Sequence, residues 1–179
     1  MRTLRTVAAV AIATVGVLGL AAPAQAMGSG NPYQDMQVGV TYTVYEPSYT
    51  AGLALQHFGG NTMCPKGTEQ NALGVYGKAS ARQFTIWEGN PMCQDIGLGA
   101  TVMTATVDGA KAIVQAYCDP ASKKACTKAD VLKYGGNLQV TLPAATGLRP
   151  TTIWIETFSS KNISAQQLVK IARSLTAVQ

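Results

Sequence analysis

Apolar and polar residues alternate with a period of two over several short stretches, and turn formers separate these stretches, which predicts a chain built mainly of β-strands. Val38, Val40, Tyr42 and Val44 face one way and Gly39, Thr41, Thr43 and Tyr45 the other, so a first strand is expected over 38–45, closed by Glu46-Pro47. Further strands are expected over 52–58, 73–78 and 82–88, with Gly59-Gly60-Asn61 as a turn. The sharpest local pattern spans 100–118. Asp108-Gly109 suits a two-residue type I′ turn. That register pairs Val107 with Ala110, Ala105 with Ala112, Met103 with Val114 and Thr101 with Ala116 on a nearly all-apolar face. The other face pairs Thr106 with Lys111, Thr104 with Ile113 and Val102 with Gln115.

The period then changes. Thr127 and Asp130 form a capping box ahead of a short helix over 128–134, and Gly135-Gly136 supplies its stop. Strands are expected at 138–142 and 151–158. Near the end, Ser164 and Gln167 form a second capping box, and Ile163 with Leu168 a hydrophobic staple. Leu168, Ile171, Ala172, Leu175 and Val178 then fall on one helical stripe that needs a surface to bury it. The pattern predicts an α+β fold: a predominantly antiparallel sheet with a short helix and a C-terminal helix packed on the sheet.

The first 26 residues follow a different logic. Arg2 and Arg5 precede an uncharged apolar run from Val7 to Leu20, and Ala24-Gln25-Ala26 offers small residues for a signal peptidase. At about 14 residues the run is short for a bilayer span. We therefore expect a secretory leader over 1–26, a flexible N-terminal segment over 27–37, and a single globular disulfide-stabilised domain over 38–179. No transmembrane anchor is expected, and the protein is expected in the extracellular space or the cell envelope. Cys64, Cys93, Cys118 and Cys126 all follow the leader, where thiols are oxidised. Four cysteines allow three pairings. We expect Cys64 with Cys93 and Cys118 with Cys126, without a metal: Cys-x-x-Cys is absent and His57 is the sole histidine.

Charge adds little. Two of the 14 Lys and Arg lie in the leader, which leaves 12 against 9 Asp and Glu, a net charge of +3. That bias excludes the clustered charge of a nucleic-acid binder. Catalytic residues are not expected. His57 has no nucleophile elbow around it, and no phosphate loop follows Gly59-Gly60. Glu88, Asp95 and Glu156 are the acids that a hydrolase of envelope polymer would use, given two carboxyls facing each other across a cleft. Possible binding residues are Tyr42, Tyr45 and Trp87, for aromatic contact, and Lys123 and Lys124, for anionic polymer. Lys66 stands in the Cys64-Pro65-Lys66-Gly67 loop, the kind of braced basic loop a protease inhibitor presents.

Ile153-Trp154-Ile155-Glu156-Thr157-Phe158 followed by the helix from Ser164 resembles the strand-then-helix ending of small exported or envelope-associated actinobacterial domains of uncharacterised function. That resemblance implies the sheet-plus-helix build and no catalytic residue or cofactor. The function expected first is a secreted, non-enzymatic protein that binds a cell-wall polymer or another exported protein. A small protease inhibitor and an envelope-polymer hydrolase are the alternatives.

Overall fold

A computed structural model describes residues 29–61, 65, 68–93, 97, 99–118, 124–159 and 163–178. Its centre is a seven-stranded antiparallel sheet in the order β2-β3-β4-β8-β7-β6-β5, and a two-stranded sheet of β1 and β9 lies apart from it. The strands are β1 (Tyr45–Pro47), β2 (Leu55–Asn61), β3 (Asn71–Gly77), β4 (Gln83–Gly89), β5 (Ala100–Val107), β6 (Ala110–Ala116), β7 (Gly135–Leu142), β8 (Thr151–Phe158) and β9 (Leu175–Ala177). Among the described residues three helices join them: α1 (Pro32–Val38), α2 (Lys128–Tyr134) and α3 (Ala165–Arg173). The fold is α+β, dominated by antiparallel sheet. None of the described helices is long and apolar enough to cross a membrane.

Strand parity divides the large sheet into two faces. Phe84, Ile86, Leu138, Val140, Ile153 and Ile155 form one face and are buried, with Ala112 and Val114 beside them. Leu168, Ile171 and Ala172 of α3 belong to the same core, and α3 contacts β5, β6 and β7. Its entry is as the capping box requires: Ser164 Oγ accepts from Gln167 N at 3.2 Å, and Gln167 Oε1 accepts from Ser164 N at 2.9 Å. The Asp108-Gly109 turn has φ of 44° and 75°, both positive as type I′ demands.

Several expectations change. Gly59-Gly60-Asn61, expected as a turn, completes β2 and pairs with Leu73, Ala72 and Asn71, and glycine at 60 leaves room for Gln70, whose Oε1 would lie 2.0 Å from a Cβ there. Residues 32–38, placed in a flexible lead-in and the start of a strand, form α1 instead. Asn31 caps it by accepting from Tyr33 N at 2.9 Å, Pro32 opens it, and buried Tyr33 anchors it. After α1, Val40 and Tyr42 to Tyr45 are buried without alternation, between the sheet and the chain's end. Their backbone is satisfied by the Gln37 side chain, which donates to Tyr42 O and accepts from Val44 N, and by the 149 backbone, which accepts from Thr43 N. Only Tyr45–Pro47 is left as strand. The C-terminal stripe is also shorter than expected. Ser174 ends α3 by donating to Ile171 O and accepting from Tyr49 N, and Leu175 to Ala177 then pair with β1. In the hairpin, Met103↔Val114 through Val107↔Ala110 match the expected register. A bulge at Val102 moves Thr101 opposite Gln115 and Ala100 opposite Ala116.

Candidate functional site

The inner layer is held by a buried polar cluster. Glu88 projects from β4 into the core at 1% exposure, where Oε2 accepts from Tyr45 N at 2.8 Å. Its other oxygen has no hydrogen-bond partner among the described residues. Burial pushes the carboxyl from 4.5 up to about 8, against the opposing pull of the Tyr45 N–H. The Tyr33 and Tyr76 hydroxyls bond each other, and burial raises both phenols, Tyr76 to about 12. Tyr42 donates to Gln70 O and accepts from Ala72 N, and Tyr45 donates to Pro143 O. Tyr42 and Tyr45, expected as binding residues, are therefore core residues at 0% and 5% exposure whose hydroxyls are spent on backbone. Their burial shuts them off from a ligand.

The opposite, outer face carries the surface with the greatest capacity for recognition. Leu73, Trp87, Trp154 and Gln139 stand directly opposite one another across β3, β4, β8 and β7. The neighbouring row runs Val75, Thr85, Glu156, Asn137 and Gln115. Both tryptophans of the chain thus lie side by side, half-buried, next to half-buried Gln139 and Gln115 and to Asn137 and Glu156, which are buried. The amides hold one another only weakly. Gln139 Nε2 donates to Asn137 Oδ1 at 3.4 Å and to Gln115 Oε1 at 3.5 Å, and Asn137 Nδ2 donates to Gln115 Oε1 at 3.4 Å. Bonds of this length are close to the limit of useful geometry, so half-buried Gln139 keeps donor capacity to spare, whereas Asn137 is buried and its Nδ2 also donates to Tyr117 Oη. Tyr117 donates to Glu156, whose carboxyl burial raises while this bond lowers it. Thr85 Oγ1 and Trp87 Nε1 also lack partners among the described residues.

The β4-to-β5 connection is fastened on this same face. Asn71, which shares the outer parity of Leu73, donates to Pro91 O at 2.9 Å and accepts from Cys93 N at 2.6 Å. At the far side Gly97 O accepts from Asn137 at 3.4 Å. A Cβ on Gly89 would lie 1.8 Å from Asn71 Nδ2, so glycine there is what lets Asn71 reach this connection. Cys93 is disulfide-bonded. Its expected partner Cys64 lies outside the described residues, as do Lys66, Asp95 and Lys123.

Cys118 is bonded to Cys126, with Cα atoms 5.6 Å apart. The bond borders a cavity of about 200 Å³ that exposed Lys124 lines together with Asp130 and Tyr134. Of the three acids named for hydrolysis, Glu88 and Glu156 point to opposite faces of the sheet, because Glu88 pairs with Ile153 and Glu156 with Thr85. They do not face each other across a cleft. His57 is exposed on edge strand β2. Among the described residues no three His, Cys, Asp or Glu side chains cluster as a metal site.

Trp87 was visible in the sequence as a binding residue, whereas Gln115, Tyr117, Asn137 and Gln139 were not. Their signal was Gln115 on one strand and Asn137, Gln139 and Thr141 on the next at outward positions, interrupted by apolar Ile113, which reads by itself as ordinary solvated surface. Comparison with known protein families, curated proteins and solved structures finds no match to this chain.

Proposed function

We propose that the protein is exported and acts as a non-enzymatic binding domain that holds a saccharide polymer of the cell envelope against the outer face of its sheet. The observation that carries this reading is the cross-strand Trp87–Trp154 pair in register with Gln139 and near Gln115, all four half-buried, over a buried layer of Asn137 and Glu156. An indole presents a flat apolar surface to the C–H face of a pyranose ring, and side-chain amides exchange hydrogen bonds with its hydroxyls. In this reading α3 closes the inner face as its packed layer, and the ligand takes the Trp87–Trp154–Gln139 row of the outer face, beside the β4-to-β5 connection that Asn71 and Asn137 fasten there. The leader pattern over 1–26 and the Cys118–Cys126 disulfide support export. Glu88 and Glu156 are separated by the sheet, which speaks against a hydrolase, and the Cys64–Gly67 loop of the inhibitor alternative lies, apart from Pro65, outside the described residues.

Co-sedimentation with purified cell-wall glycan tests the proposal. The native protein should pellet with the polymer, and Trp154→Ala, with an unchanged far-ultraviolet circular dichroism spectrum, should be retained at least tenfold less well. Equal retention of a folded Trp154→Ala variant would remove this face from the binding event.

A further inference from the structure

The last strand at one end of the sheet, β5, has no strand beyond it among the described residues. Sheet edges are ordinarily blunted by lysine, proline or inward charge, yet Ala100–Val107 contains none of these. Among the described residues its protection is the bulge at Val102 and a bond from Arg173 Nε to Thr106 O at 3.1 Å. A groove of about 420 Å³ runs between this edge and α3. Met103, Ala105 and Val169 form its apolar part, and Gln166, Lys170 and Arg173 supply the polar and cationic part, with no acidic side chain in the lining. Tyr49 helps to place one cation, since Lys170 Nζ stands 4.1 Å from its ring centroid.

We infer that β5 is a docking edge for an extended acidic segment of a partner protein, which adds as a further strand and sets its carboxylates against Lys170 and Arg173. An added strand gains affinity from main-chain bonds, and alternate side chains give specificity. Alternation suits this edge, because every second side chain of the incoming strand would lie on the α3 side, over the apolar groove and its cations. The chain's net charge of +5, or +3 after the leader, disfavours a second copy as the occupant and favours an acidic one. The inference is independent of the saccharide reading and concerns a different surface.

The test uses the mature protein and an acetylated, amidated octapeptide of alternating valine and glutamate. Binding should be at least tenfold tighter than for the valine–glutamine counterpart, and at least tenfold weaker in K170Q/R173Q. The peptide should also slow hydrogen exchange at amides within 103–107. Peptides N-methylated at alternate residues, made in both registers, separate strand addition from simple charge attraction, and at least one should bind tenfold more weakly. No binding at millimolar peptide, equal affinity for the glutamine peptide, or full affinity of both N-methylated forms would overturn the inference. So would a peptide-free dimer that protects the same amides, since a second copy would then be the occupant.

Discussion

Replacing Glu88 by glutamine should abolish most of the fall in stability that the native protein shows between about pH 5 and pH 8. In the folded chain this carboxyl is pushed from 4.5 up to about 8 by burial. Below the lower value it is protonated whether the chain is folded or not, and it contributes no pH dependence. Between the two values the unfolded chain releases a proton that the folded chain keeps, so stability drops as pH rises, and above about 8 the full penalty is in place. The span corresponds to a loss on the order of 5 kcal/mol. Glutamine can still accept from Tyr45 N but brings an amide N–H₂ into a site where Glu88 Oε1 has no described partner, a cost of about 1–3 kcal/mol. Urea unfolding at several pH values should therefore show Glu88→Gln no more stable than native at pH 5 and clearly more stable at pH 9. Parallel pH profiles for the two proteins would show that Glu88 is not the group responsible.

Gly135→Ala should cost about 3 kcal/mol or more. Gly135 is both the C-cap of α2 and the first residue of β7, at φ +89° and ψ −177°, a conformation that is essentially confined to glycine. An added Cβ would also lie 2.5 Å from Thr157 O and 2.8 Å from Phe158 Cα, which are backbone atoms of β8 that cannot rotate away. Thermal or denaturant unfolding of the variant measures the effect, and a loss below 1 kcal/mol would mean that the helix-to-strand corner relaxes freely. The following glycine has a separate role. A Cβ on Gly136 would meet Gln115 O at 2.2 Å, so the pair admits close approach of β8 at one residue and β6 at the next.

This glycine pair illustrates what local pattern does and does not reveal. Its role as a helix stop was legible, because a capped helix followed by glycine is a local signal. Its role in strand contact was not, because that depends on β6 and β8, which lie far away in sequence. The same division holds elsewhere. The Asp108-Gly109 hairpin, both capping boxes and β8 were set by neighbours in sequence and were readable there. The segment after α1 was misread because it is buried on more than one side and takes its hydrogen bonds from Gln37 and from the 149 backbone, so alternation carried no information. Leu175 and Val178 continued a helical stripe, but Ser174 is bonded to the 48–50 region and turns the chain into β9. For the candidate site, Trp87 was visible as a residue for aromatic contact and Trp154 as part of the expected strand over 151–158. Only the register of β4 with β8 makes them neighbours. Tyr42 and Tyr45 had the composition of a binding patch, and the packing of the N-terminal segment onto β3 and β4 makes them core.

The most direct measurement of the outer-face account uses the tryptophans themselves. Because the chain's only two are Trp87 and Trp154, the intrinsic emission of the native protein reports on this face alone. Titration with soluble cell-wall glycan fragments should give a saturable shift in tryptophan emission, and Gln139→Ala should weaken the apparent affinity several-fold without changing the starting spectrum. Retention on the insoluble polymer with no change in emission at saturating fragment would contradict the account, because binding would then occur somewhere other than the Trp87–Trp154 row.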